Sequence, residues 1–347
     1  MNLRLLTRRQ ALGATGALLA GCCAAQGRAA IDGRDSGGLP SLPCPAPVDE
    51  LVLVREFEDG ARRVLPDAVF AMIASGDREA FERITLRPRM MIPTANIDLG
   101  VELFGRKLLA PIVVGPVAEQ RRFHPDAELA TARGAAAANV PLIVSSRSSV
   151  PLEQLAAETK NPLWFQAEAG PAGKAPIQRA VSAGCEVVCL TLGAEGSPPD
   201  WHAIAELRRS IDAPVLVKGV MTPSEAEAAL QHGGQGIVVS NHGRSSTGAT
   251  IMALPSIVDT VAGKAPVLVD GGFELGADIF RALAFGAQGV LVARPAMWGL
   301  AAYGADGVRA VLQILQCDLA RTMAMCGNAT VTSLDRSRLK TNVRRSS

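Results

Sequence analysis

PVLVKG (214–219) is a short apolar, β-branched run that ends on a charged residue and a glycine, and seven more runs of the same kind surround it. Before it the chain reads PIVVGP (111–116), PLIVSS (141–146), LWFQAE (163–168) and VVCLTL (187–192); after it come GIVVSN (236–241), PVLVDG (266–271) and GVLVAR (289–294). Unbroken apolar runs are what strands look like when both faces are buried, and the helix-length spacers between them imply right-handed parallel crossovers. Eight such units predict an α/β fold, a closed (β/α)8 TIM barrel. The active site of that architecture lies at the C-terminal ends of the strands. The residues that end the runs are therefore the candidates for chemistry: Gly115, Ser145, Gln166, Glu168, Thr191, Lys218, His242, Asp270 and Arg294.

Composition is compatible with one barrel. Such barrels take up about 250 residues as a single domain, and the chain has 347. Lys plus Arg number 35 against 33 Asp plus Glu, a formal charge of +2 that gives no reason to expect a nucleic-acid partner. The segments divide as an export signal (1–30), a linker (31–50), the barrel (51–335) and a basic tail (336–347) that reads as solvated. Arg4, Arg8 and Arg9 precede an apolar stretch, Ala11 to Ala20, too short to span a bilayer and suited to a signal peptide. Thr7-Arg8-Arg9-Gln10-Ala11-Leu12 resembles a twin-arginine signal, and Leu19-Ala20-Gly21-Cys22 resembles a lipobox in which Cys22 would carry a lipid anchor. A plain signal cut near Ala25 or Ala30 is the alternative, and both place the protein in the periplasm or on its membrane. Seven cysteines follow no metal spacing. Neither a metal site nor a disulfide is assigned, and Cys185 and Cys189 suit small buried thiols.

From about Leu65 to Thr330 the text LPDAVFAMIASGDREAF, ITLRPRMM, HPDAELATARGAA, PVLVKGVMTPSEAEAAL, GIVVSNHG, TIMALPSIV, PVLVDGG and GADIFRALAFGAQGVLVARPAMWGLAAYGADGV resembles the FMN-dependent 2-hydroxy acid dehydrogenases and oxidases. This is the group of glycolate oxidase, lactate oxidase and mandelate dehydrogenase. The resemblance implies FMN as cofactor, a small-molecule substrate, and oxygen, a quinone or a cytochrome as electron acceptor. It also implies a homo-oligomer, since relatives are often tetramers. Lys218 would place a cation beside the flavin N1–O2 edge. Gln166 and Thr191 would hydrogen-bond the polar edge of the ring, while Ser145 and the Pro116-Val117-Ala118 turn would contact the ring and ribityl chain, with Ser240 beside them. The phosphate is expected at Asp270-Gly271-Gly272 and Ala293-Arg294, because glycines let the backbone approach an anion and Arg can bind it with paired charged hydrogen bonds.

His242, in Ser240-Asn241-His242-Gly243, matches the family's base. It would take the hydroxyl proton while hydride leaves Cα for flavin N5, or in the rival description the Cα proton. His124 matches a position that reads as structural, and His202 and His232 fall on expected surface helices. The departures from the family are equally specific. The Arg that binds substrate carboxylate after the base is displaced by one position, to Arg244. The segment after the fourth strand, Thr191-Leu192-Gly193-Ala194-Glu195-Gly196-Ser197, has neither the second carboxylate-binding Arg nor the Asp that orients the base; Gly193 stands at the Asp position. Two tyrosines that usually touch the substrate are replaced by Met72 and Glu168. At the phosphate end the family commonly has an Arg shortly after DGG and a Gly before the final Arg, against Phe273-Glu274-Leu275 and Ala293 here. Removing an Arg from a partly buried carboxylate site costs about 2 to 5 kcal/mol of binding. Arg147 or Arg244 is therefore expected to pair with Glu168 or with a substrate anion in a remodelled pocket. Two functions follow: an exported FMN oxidoreductase acting on a 2-hydroxy acid or related alcohol, or an exported barrel lipoprotein that has lost hydroxy-acid turnover and serves as a binding or accessory protein.

Overall fold

The computed structural model describes residues 46–341, apart from residues 77, 90–91, 93–95, 171–172, 194–199 and 245–247. The export signal with Cys22, most of the expected linker and the last six residues of the basic tail lie outside the described residues.

The eight runs form the eight strands of one closed parallel barrel. They are β4 (Ile112–Val114), β5 (Leu142–Ser145), β6 (Leu163–Glu168), β7 (Val187–Thr191), β8 (Val215–Val220), β9 (Gly236–Val239), β10 (Val267–Asp270) and β11 (Gly289–Val292). Between them run α4 (Ala127–Ala137), α5 (Leu152–Glu158), α6 (Lys174–Ser182), α7 (Trp201–Arg209), α8 (Pro223–Gln231), α9 (Thr250–Val261) and α10 (Gly276–Ala284). A long last helix, α11 (Arg294–Met325), is interrupted at Gly304. Both faces of the strands are buried, which is why they read as unbroken apolar runs.

Alternation along the strands separates two cores. Val113, Ile143, Trp164, Val187, Cys189, Leu216, Val238, Leu268 and Leu291 fill the barrel interior, together with Leu103 and Leu108. Those two come from a hairpin, β2 (Val101–Leu103) and β3 (Arg106–Leu108), that precedes the barrel. Their strand neighbours, such as Ile112, Val114, Val217, Val239 and Val290, join the larger core beneath the helices. Burial raises the Cys185 and Cys189 thiols to about 12, so neither carries thiolate at neutral pH.

Ahead of the hairpin lie α1 (Val54–Val64), α2 (Asp67–Phe70), α3 (Glu79–Glu82) and β1 (Ile84–Leu86). The expectation of a solvated tail from Arg336 onward is corrected here. Leu339–Thr341 form β12, antiparallel to β1 with Leu86 opposite Leu339. Arg336 binds Asp259 at 2.7 Å, and Arg338 is buried. The run of basic residues hid a strand whose single apolar side chain, Leu339, packs into the core. The folded body also begins slightly earlier than residue 51: Val48–Glu50 form a 3-10 turn packed on α11, and the Tyr303 hydroxyl donates to the Ala46 carbonyl at 2.8 Å.

Candidate functional site

Two residues beyond the apolar layer inside the barrel, the same inward face carries Gly115, Ser145, Gln166, Thr191, Lys218, Ser240, Asp270 and Ala293. Side chains two apart on a strand share a face, so Ser240 and Ala293 join the strand-end candidates Gly115, Ser145, Gln166, Thr191, Lys218 and Asp270 in one ring of eight across the mouth, while the candidates Glu168, His242 and Arg294 are not members of it. Six are polar and two, on the adjacent strands β11 and β4, are small.

The polar members are joined in two chains. The Ser145 hydroxyl donates to Gln166 Oε1 at 3.1 Å, and Gln166 Nε2 donates to Thr191 Oγ1 at 2.9 Å. Lys218 Nζ donates to Ser240 Oγ at 2.8 Å and pairs with Asp270 Oδ2 at 2.9 Å; Ser240 Oγ in turn donates to Asp270 Oδ2 at 3.1 Å. Lys218 is only 6% exposed. A buried ammonium needs such partners, and it retains a third donor for a ligand.

His242 stands just past β9 with φ +55°, and its backbone N–H donates to Ser240 Oγ at 3.3 Å. The ring is half-buried and hydrogen-bonded to the Leu192 backbone carbonyl. Gly193 stands in the expected place of an orienting Asp, and the group that faces the ring here is the peptide carbonyl just before it. Room for this comes from Gly219, where β8 bulges out of register. At φ +111°, a Cβ on Gly219 would lie 2.8 Å from both His242 Nε2 and the Leu192 oxygen. Burial, then Lys218, and more weakly Arg244 hold the imidazole below its ordinary pKa, against the opposing Leu192 hydrogen bond and Asp270 carboxylate. A neutral ring that donates one N–H to a carbonyl has a lone pair on its other nitrogen to accept a proton.

A second recess, of about 100 Å³, is lined by Gly76, Phe81, Gly243, Thr250, Gly271, Gly272 and Arg294, among others. Gly272 has φ +79°, and a Cβ there would come within 2.9 Å of Phe81. Arg294 opens α11 and donates to the Ala74 carbonyl at 3.2 Å. Glycine backbone beside an arginine suits a phosphate. The chemistry of these groups fits FMN: Lys218, Gln166, Thr191 and Ser145 could hold the polar edge of the ring, and the Gly271-Gly272-Arg294 recess could hold the phosphate.

The substrate-side candidates do not meet as expected. Among the described residues Glu168 pairs with neither Arg147 nor Arg244. Glu168 and Arg147 are exposed at the ends of β6 and β5, and Arg147 is held only through its backbone: its N–H donates to Ser145 Oγ at 3.2 Å and its carbonyl accepts from Glu119. Exposed charges gain little from pairing, which removes the reason for the pair to close. Met72 is exposed, with its sulfur 4.0 Å from Arg122 Nη1. His124 accepts from the Asp126 N–H at 3.1 Å, His202 is exposed on α7, and His232 stacks on Trp201 at 5.9 Å. All three lie off the polar ring.

Sequence reasoning missed two contributors. The Leu192 carbonyl is a backbone atom, which no side-chain pattern reports. Arg78, just before α3, reaches the loop after β10 and donates to the Gly272 carbonyl at 2.6 Å, a contact across 194 residues of sequence.

The family described as FMN-dependent dehydrogenase matches residues 61–197 and 195–341. The 4-hydroxymandelate oxidase of Amycolatopsis orientalis is 34% identical over 84% of this chain and 99% of its own. Glycolate oxidase of Spinacia oleracea is 34% identical over 84% and 96%. Among solved structures, mandelate oxidase with 3,3-difluoro-2-hydroxy-3-phenylpropionic acid aligns with a TM-score of 0.78 at 36% identity, covering 84% of this chain and 100% of that one. A mandelate oxidase variant with 2-hydroxy-phenylacetamide aligns with a TM-score of 0.79, also at 36% identity, covering 84% and 99%.

Proposed function

The chain belongs to the FMN-dependent dehydrogenase family, and we propose that it oxidises a 2-hydroxy acid, or a related 2-hydroxy compound, to the keto product with His242 as the base. The observation that carries this reading is the His242 imidazole over Gly219, held by the Leu192 carbonyl and kept neutral by burial and by Lys218. Its free nitrogen accepts a proton from the substrate, and FMN, when bound, supplies the hydride acceptor. Lys218 fixes a positive charge in the polar ring next to the base, with Ser240 and Asp270 holding it in place. The intact polar ring and the poised base favour an enzyme over a barrel that has lost turnover.

Substrate choice departs from that of a plain glycolate-type site. The chain has no Arg between Leu192 and Trp201, so carboxylate binding falls to Arg244 and Arg147. Glu168, two residues beyond Gln166 on the same inward face of β6, repels a small anion placed near it. A substrate whose carboxylate is displaced toward the arginines, or replaced by an uncharged amide, suits this arrangement. The amide present with a mandelate oxidase variant supports including that class. Relatives named as oxidases favour oxygen over a quinone or cytochrome as acceptor.

The test is an absorbance spectrum of the purified protein without oxygen, before and after adding mandelate, lactate, glycolate or 2-hydroxy-phenylacetamide. Bleaching of flavin bands by at least one of them, with peroxide released on admitting air, is the expected result. Flavin bands that none of the four changes would overturn the hydroxy-acid reading. We also propose that residues 1–30 direct export and that Cys22 is lipidated. A fusion of this segment to a reporter should appear in the membrane fraction, and Cys22→Ser should release it.

A further inference from the structure

The loop after β10 carries an acid, Glu274, where the resembling family commonly has an arginine shortly after Asp-Gly-Gly. Glu274 is not a solvated substitute, being 5% exposed. It lines a small cavity behind the glycine pair together with Gly271, Gly272 and Arg294, and those three also line the phosphate recess. A buried carboxylate therefore shares walls with a site built for a dianion. Asp278 lies deeper, its Oδ2 accepting from the Glu274 and Leu275 backbone N–H groups at 3.2 and 2.9 Å.

Arg78 opposes both acids. Its Nη1 lies 3.4 Å from Glu274 Oε2 and its Nη2 2.6 Å from Asp278 Oδ2, while Nη1 also donates to the Gly272 carbonyl at 2.6 Å. Arg281 takes the other Asp278 oxygen at 3.1 Å, so Asp278 has two cationic partners. Arg78 is the one ion-pair partner of Glu274 among the described residues. Burial drives the Glu274 carboxyl upward in pKa, and Arg78 is the main group drawing it back.

We propose that Glu274 is a charge determinant working against the flavin phosphate, and that Arg78 is the positioning residue that neutralises it and fixes the Gly272 peptide. The site then grips its cofactor by a local balance in which Arg78 and Arg294 stand against Glu274, while Asp278 is shared between Arg78 and Arg281. This rests on the assignment of FMN to the recess. Removing the acid should tighten FMN, and removing Arg78 should loosen it by exposing the phosphate to an uncompensated carboxylate. Riboflavin, which has the ring and ribityl chain but no phosphate, should respond to neither change.

The experiment is equilibrium dialysis of the full chain against FMN and, separately, riboflavin, for the unaltered protein, Glu274→Gln, Arg78→Ala and the double variant. Glu274→Gln is expected to bind FMN about tenfold more tightly and Arg78→Ala about tenfold more weakly, with the double variant returning toward the starting value, as one desolvated charge contact implies. Riboflavin affinity should stay within about threefold throughout. If Arg78→Ala fails to fold, Glu274→Gln alone decides, because a gain in FMN affinity cannot come from damage. Unchanged FMN binding in Glu274→Gln, or an equal shift for riboflavin, would overturn the proposal while leaving the FMN assignment standing. An unaltered protein that binds no FMN would overturn both.

Discussion

At the scale of single residues, the chemistry proposed for His242 depends on which proton state its ring holds. A base must be neutral to act, and burial and Lys218 depress the His242 pKa, so under that proposal activity should rise with pH through a point below the ordinary imidazole value of 6.5 and be flat at neutral pH. A lowered folded pKa also means that the unfolded chain binds the proton more readily, so the same group withdraws stability as pH falls through that window. His242→Asn should reduce kcat by about 10²- to 10⁴-fold with flavin content unchanged. Arg244 lowers the imidazole pKa as well, so Arg244→Gln should move the acid limb of kcat/KM upward toward the ordinary value and raise KM for acids more than for amides. A profile that does not move would detach Arg244 from the site. The ring members Ser145, Gln166, Thr191, Lys218, Ser240 and Asp270 were legible in the sequence because strand alternation alone puts them on one face. The Leu192 carbonyl was not, since Gly193 reports only the loss of an Asp and says nothing of the peptide that replaces it. Of the two pairings expected for Arg147 or Arg244, with Glu168 or with a substrate anion, the one with Glu168 is not formed among the described residues, for a related reason: charge complementarity in sequence does not say whether two exposed side chains gain from meeting.

At the scale of elements, the decisive irregularity is the β8 bulge at Gly219. A regular strand would continue the inward alternation of Leu216 and Lys218, whereas the shifted register brings Val220 opposite Val239 and opens space for the His242 ring. The obstacle to any side chain there is partly a backbone oxygen, which cannot swing away as a flexible side chain would. Gly219→Ala should therefore displace the imidazole and lower kcat by about 10²-fold, since misplacement near 1 Å has that effect. It should also cost about 1 to 3 kcal/mol of stability through the strained backbone. Loss of stability with normal turnover in the folded fraction would show that the ring does not need the space. The lysine-glycine ending of PVLVKG is visible in the sequence, but a bulge is not, because one residue of slippage leaves the apolar pattern of the run intact.

At the scale of the whole molecule, the barrel is closed by its own strands, while the layer outside it is tied by segments far apart in sequence. β1, ahead of the barrel, pairs with β12, beyond α11, through Ile84 opposite Thr341, Thr85 opposite Lys340 and Leu86 opposite Leu339. Arg281 of α10 donates to the Ile84 carbonyl at 2.8 Å, and Arg87 N–H donates to the Arg338 carbonyl at 2.8 Å. α10 begins four residues after Gly272, so the C-terminal strand supports the helix that follows the glycine pair of the recess proposed for the phosphate. Three-residue strands carry too little periodicity to be read from sequence, and the basic composition of the C-terminal segment concealed this one. Burying Leu339 contributes about 1.5 to 3 kcal/mol, and the paired backbone adds to it; buried Arg338 works against it, since its Nε and Nη1 have no hydrogen-bond partner among the described residues. A chain ending after Asp335 should melt several degrees below one ending after Thr341, at about 2 to 4 °C per kcal/mol. It should also release FMN faster, because β1 and α10 lose a shared support. Equal melting points would show that β12 adds nothing to the fold. A lower melting point with unchanged FMN release would separate the strength of this outer layer from the geometry of the recess.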